Sequence, residues 1–482
     1  MSVFRDRRGP VLIAIMLSSA LMAVDATVLA TAVPSIVADL GEFSRYPWLF
    51  SGYLLAQAVT VPVFSRLADT YGRKPVILTG IAVFILGSAL AVLAPSMTAL
   101  ILCRIVQGIG AGAVQPMGQT IAGDIYTVRE RAKVQGYLAS VWAVSSMLGP
   151  LIGGAFSQYI SWRWIFAVNI PLGILAAVMV WRNFHENVEK TRHRIDVEGA
   201  LVLTLGLTLL LLGLLEGGEA WAWSSTASLV CFLGGTAALA LFVYIERHAA
   251  EPVVNLHLLS RRLIVHAVVI SAAIGGIVLG LTSFVPTYLE RAAGATPVTA
   301  GIAVAALTIA WPLASANAGR IYVPHGFRAS ITLGSSIVTV GTLLLLLVVG
   351  QREIWLIVAV ALVLGAGLGF TAAPNVVAAQ SSVGWSERAE VTGLTMFARS
   401  AGSAVAVAVY GTVSNAVIAD GSGEADPDTV VDATTAVFYG VVGAALLLLV
   451  AAWTLPRRPH DSDGSDDSGG SGGSGGERPG RI

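Results

Sequence analysis

The stretch VLIAIMLSSALMAVDATVLAT, residues 11–31, is an apolar run broken by a single carboxylate, Asp25. A bilayer core of roughly 30 Å needs about 20 helical residues at about 1.5 Å each. The run meets that length, and lacks the small-residue cleavage pattern of a signal peptide, so it reads as a retained first span. Working outward with the same ruler gives further runs at residues 48–67, 76–94, 97–122, 134–156, 164–181, 199–215, 227–244, 264–288, 300–318, 331–349, 354–377, 391–413 and 433–453. With the first, that makes fourteen candidate helices.

Composition agrees. Hydrophobic residues make up 55% of the 482-residue chain and charged residues only 12%, with a mean hydropathy of +0.76. No water-soluble core absorbs that much apolar surface. The formal net charge is +0, which removes the basic excess a nucleic-acid binder needs. Cys103 and Cys231 lie in apolar runs without a Cys/His companion, so neither a disulfide framework nor a metal site is expected. No cofactor is expected either.

An even number of spans places both termini on one side. Arg66, Arg73, Lys74, Arg129, Arg131, Lys133, Arg261, Arg262, Arg320, Arg328 and Arg388 fall on the amino-terminal side, and only Arg45, Arg163, Arg291 and Arg352 on the other. By the positive-inside rule the amino-terminal side is cytoplasmic. The Gly/Ser/Asp-rich residues 456–482 read as a disordered cytoplasmic tail.

The chain also repeats itself. Ser65 to Lys74, after the second span, matches Gly319 to Arg328, after the tenth: Arg66 pairs with Arg320, Gly72 with Gly326 and Lys74 with Arg328, an offset of 254 (326 − 72). Gly108, Gly110 and Gly112 in the fourth span parallel Gly365, Gly367 and Gly369 in the twelfth, an offset of 257 (365 − 108). Repeats displaced by eight spans predict an all-α membrane protein of two six-helix bundles, residues 1–182 and 251–455, with two inserted helices in a linker over 183–250. Chance likeness of two Gly-rich helices explains the second match but not the first.

These features together resemble the major facilitator superfamily, specifically its fourteen-helix drug:proton antiporter branch. The loop containing Asp69, Gly72, Arg73 and Lys74 resembles the family's cytoplasmic signature and implies a cytoplasmic gate. Ser65 departs from it, standing where the signature opens with glycine, and so does Thr70, where an arginine is usual. Arg104 to Gly112 resembles a family motif with a buried arginine. Gly149, Pro150, Gly153 and Gly154 resemble the motif carried by antiporter branches, and such a Gly/Pro cluster suits an interface that must rock. Residues 25–34 and 162–171 resemble the branch's first- and sixth-helix motifs.

A proton-coupling group is assigned to Asp25, Arg104 and Arg399. Asp25 is the acid lying well inside the amino-terminal spans, and intramembrane carboxylates commonly mark ion pathways. A fixed structural ion pair is the alternative, as is snorkelling of Arg104 to the outer surface. Gln57, Gln107, Trp142, Phe284, Trp311, Asn375, Gln380 and Phe397 would suit a largely apolar substrate cavity, or merely packing. The resemblance implies a proton-coupled exporter of small hydrophobic or amphipathic molecules in the plasma membrane, working as a monomer; export of a lipid or endogenous metabolite would share these motifs. A membrane-embedded enzyme is disfavoured because no nucleophile/base pair or metal cluster is found, and an ATP-driven pump because there is no phosphate loop.

Overall fold

A computed structural model of the chain describes residues 8–42, 45–46, 48–186, 196–218, 221–249, 256–420 and 426–456; the tail expected to be disordered lies almost wholly outside them. The helices are α1 (Gly9–Leu40), α2 (Trp48–Tyr71), α3 (Arg73–Val92), α4 (Met97–Ile125), α5 (Val128–Tyr159), α6 (Trp164–Ala167), α7 (Asn169–Asn183), α8 (Val197–Glu216), α9 (Thr226–His248), α10 (Arg262–Arg291), α11 (Pro297–His325), α12 (Phe327–Val349), α13 (Ile354–Ser381), α14 (Arg388–Asp420) and α15 (Pro427–Thr454). Helices dominate because hydrocarbon offers no partner to a backbone N–H or C=O, and a helix satisfies these groups internally. Thirteen are long and apolar enough to span, with α6 and α7 counted as one. The inserted helix α8 carries a shorter apolar stretch, Glu198–Leu214, where the sequence placed one of its fourteen expected spans. Several helix starts carry side-chain caps. Ser96 accepts from the Ala99 amide, Thr127 and Glu130 form a reciprocal box, and Asp426 accepts from the Thr429 amide.

The duplication is structural down to individual contacts. Gly72 and Gly326 both take positive φ, 98° and 83°, and each donates its amide one turn back, to Ala68 and to Tyr322. Lys74 donates to the Trp181 carbonyl at the end of α7, and Arg328 to the Trp453 carbonyl at the end of α15. Gly110 packs on Gly80 and Phe84 of α3, and Gly367 on Gly334 and Val338 of α12. Gly112 packs on Gln57 and Thr60 of α2, and Gly369 on Trp311 and Ala314 of α11. A Cβ at any of these four glycines would overlap the neighbouring helix, so they set the approach distance within each bundle.

Within the amino-terminal bundle α1 packs on α5 and α7, while α2 and α3 flank α4; in the carboxy-terminal bundle α10 packs on α14 and α15, while α11 and α12 flank α13. Two seams join the bundles, α5 with α11 and α2 with α14. Across the first, Gly136 meets Ala316 and Gly319 meets Ala132; across the second, Gly393 meets Ser65. The inserted hairpin sits on the second seam. Leu203, Leu207 and Leu211 of α8 pack with Ala58 and Val59 of α2, Ala404 of α14 and Phe242 of α9.

Candidate functional site

The carboxylate of Asp25 is buried where α1, α4 and α7 meet. Its Oδ2 accepts from Arg104 Nη1 at 2.6 Å. Its Oδ1 accepts from Asn169 Nδ2 at 2.7 Å and from Gln107 Nε2 at 3.4 Å. Arg104, 1% exposed, also donates to the Leu49 carbonyl at 3.1 Å and to Gln107 Oε1 at 2.9 Å, and lies over the Tyr53 ring at 4.3 Å. Gln107 donates onward to Ser88 Oγ at 2.7 Å. A buried charge pair survives only when its remaining hydrogen-bonding positions are filled, and here Gln107, Asn169, Ser88 and a ring face fill them. Arg104 does not snorkel. The sequence reading missed Asn169, Ser88 and Tyr53, although Asn169 stands inside a motif it singled out and Ser88 is one of two hydroxyls, with Thr79, in its span.

Arg399 does not join this group. No contact connects it to Asp25 among the described residues, so this conformation places the two predicted charges in separate bundles.

At the end carrying the Arg-rich loops, hereafter the basic end, the bundles are tied together. Asp69 accepts from the amides of Ala389 at 3.2 Å and Glu390 at 2.7 Å, at the start of α14, where the helix dipole favours negative charge. Arg73 pairs with Asp69 at 2.8 Å and Asp124 at 3.0 Å, and its guanidinium lies 3.6 Å over the Trp385 ring. Arg388 reaches Asp124 at 3.1 Å and Arg131 reaches Ser381 at 3.3 Å. Lys74 instead turns within its own bundle, its amide on Glu186 at 2.7 Å and its ammonium on Trp181 at 2.8 Å. Asp124, Glu186, Trp385 and Arg388 were missed as site residues, because at a span end a charge in sequence reads only as a marker of a solvated loop. The inter-bundle hydrogen bonds and ion pairs among the described residues all lie at this end. The bundles are therefore latched together there.

The glycine motif acts elsewhere than expected. Gly149 seats against Thr27 and Gly153 against Val28 and Thr31, so these glycines press α5 onto α1 inside one bundle rather than lining the seam between bundles. A Cβ at Gly154 would meet nothing, and the Pro150 side chain lies outside the described ones.

The eight candidate cavity residues do not form one pocket. Gln107 is consumed by the ion pair. Asn375 is buried and donates to the Ala267 carbonyl and Ser271 Oγ, both at 3.0 Å. Gln380 donates to the Gln119 carbonyl at 3.2 Å and Thr392 Oγ1 at 2.9 Å near the basic end. Phe397 packs with the α8 cluster at the seam, and Phe284 meets Tyr410 edge to face. Trp311 packs on the carboxy-terminal core. Gln57 donates to Gln115 at 2.7 Å, and Trp142 is exposed.

A family model described as Major Facilitator Superfamily matches residues 15–407. Multidrug resistance protein 3 of Bacillus subtilis (strain 168) is 31% identical over 408 residues, covering 84% of this chain and 80% of its own. The multidrug transporter protein MdtP of the same organism is 31% identical over 394 residues, covering 82% and 73%. An MFS-type efflux pump, LUC4, of a Fusarium species is 31% identical over 414 residues, covering 84% and 73%. Among solved structures, the human organic anion transporter MFSD10 superposes with a TM-score of 0.66 at 14% identity, covering 94% of this chain and 100% of that one. A bacterial homologue of the iron transporter ferroportin, in an outward-facing state, also gives 0.66, at 10% identity, covering 92% and 99%. At such identities the two structures speak to fold alone.

Proposed function

The chain belongs to the major facilitator superfamily as a multi-pass efflux transporter rather than an enzyme, and from that premise we propose that it exports drug-like amphipathic molecules in exchange for protons. The basic end is the cytoplasmic one, with both termini there, in a plasma membrane. The molecule then stands closed to the cytoplasm and open outward, as a monomer that rocks about the α5/α11 and α2/α14 seams.

The observation that carries the coupling is the Asp25–Arg104 pair at 2.6 Å. A proton arriving from the open side would neutralise the carboxylate. Arg104 would keep Gln107 Oε1, the Leu49 carbonyl and the Tyr53 face, while the contact between α1 and α4 weakens. That is how protonation would bias one arrangement of helices over another. Gln57 and Trp142 remain candidates for touching substrate from the amino-terminal bundle.

Asp25→Asn keeps the size and removes the titration. Vesicles carrying it should lose export driven by an imposed pH gradient while still binding substrate. If they concentrate substrate in response to the gradient as the parent does, coupling lies elsewhere and Asp25 is a structural member of a polar cluster.

A further inference from the structure

Arg399 is a half-buried charge inside a span that neither the coupling pair nor the latch uses. It lies eleven residues into α14, about 16 Å along a helix rising about 1.5 Å per residue, near the bilayer midplane. Among the described residues no hydrogen bond, ion pair or ring contact reaches it, and no charged neighbour influences it. The acids of its own helix, Glu390 and Asp420, stand at the two ends, and Asp25, inside a span of the other bundle, is already held by Arg104, Asn169 and Gln107. An unpaired charge at such depth is costly, so a site that keeps one must supply water or a counter-charge.

The repeat fixes where it sits. Gly136 of α5 meets α11 and Gly393 of α14 meets α2, so these helices correspond at an offset of 257 (393 − 136), and Arg399 corresponds to the exposed Trp142 (399 − 257). On α14 it shares a stripe with Thr392, which bonds α13, and Ser403, which bonds α10. That stripe faces α13 and α10 of its own bundle, and Arg399 is half-buried, with nitrogens left accessible rather than sealed in.

We propose that Arg399 is the receptor for an anionic group, a carboxylate, sulfonate or phosphate, on an amphipathic substrate whose apolar body rests on the surrounding Ala, Val and aromatic surface. This deepens the export reading and rests on it. A guanidinium presents a planar fork of donors that matches such oxyanions, and no free carboxylate at this depth is available among the described residues to receive a cation instead. Binding can be read with the full chain in lipid nanodiscs and two ligands of one ring system and opposite charge, naphthalene sulfonate and naphthyl trimethylammonium. The parent protein should bind the sulfonate about tenfold more tightly or better, a gap of the size one charge-assisted contact supplies. Arg399→Met should abolish the preference, and Arg399→Lys should retain part of it. Equal or tighter binding of the ammonium by the parent overturns the proposal without any variant, and so does an undiminished preference in folded Arg399→Met. Accumulation of both ligands in vesicles under a pH gradient reads the export proposal separately: if neither moves, export fails, while the binding preference still decides the anion site.

Discussion

Ser65 and Gly393 meet where α2 and α14 close the basic end. The signature that this loop resembles opens with glycine at the Ser65 position, and here the glycine stands across the seam, where a Cβ on Gly393 would overlap the Ser65 side chain. Ser65 is fully buried, and its Oγ has no partner among the described residues, so the hydroxyl adds bulk without a bond. Gly393→Ala should therefore cost about 1–3 kcal/mol of overpacking, read as a lowered thermal midpoint in detergent. Ser65→Gly in the same chain should recover most of it, because residues in direct contact are not additive. A single variant as stable as the parent, or a double variant no better than the single, would show that the seam tolerates both side chains. The other departure from the signature has a smaller consequence: Thr70 donates to the Arg66 carbonyl one turn back and takes no part in the latch.

At the scale of elements, α3 begins without a side-chain cap of its own, and its orphan amides need acceptors. Glu186, just beyond α7, accepts from the Arg73 amide at 3.0 Å and the Lys74 amide at 2.7 Å, tying two helix ends through one carboxyl. Burial pushes this carboxyl above the usual glutamate range, with the two amides pulling partly back. A carboxyl raised in the folded state contributes stability that is present below its unfolded value and is lost as pH rises through the folded one. Glu186→Gln does not titrate, so the parent should lose stability relative to it as pH rises from the ordinary glutamate range through the raised folded value. Thermal unfolding of both proteins across that range measures the difference; a gap that stays constant, or moves in the parent's favour as pH rises, would mean the amide bonds outweigh burial. The glycines of α4 and α13 belong to this scale too. Their spacing was visible in the sequence, but which helix each one admits was not, and Gly149 and Gly153 serve α1 rather than the seam for the same reason.

For the whole molecule, sidedness and conformation follow from where charge collects. Basic residues gather at the end that is also latched, so if that end is cytoplasmic the structure is closed inward. Cysteines introduced singly at Ser422 and Ser465, in a background lacking Cys103 and Cys231, should label from opposite faces of sealed cells; labelling from one face would remove the even number of spans on which the assignment rests. The membrane-spanning helices and the repeat that relates the two bundles were legible in the amino-acid sequence, because hydrocarbon enforces a length and a polarity that each segment reports alone, and because a duplicated chain displays its own repeat. Only the tertiary structure decided which polar groups meet. Asp25 finds Arg104 79 residues away and Asn169 144 away, Asp124 joins Arg73 to Arg388, and Arg399 has no partner among the described residues. Pairing of that kind depends on the rotation and depth of helices packed against one another, which periodicity within any one apolar run leaves open.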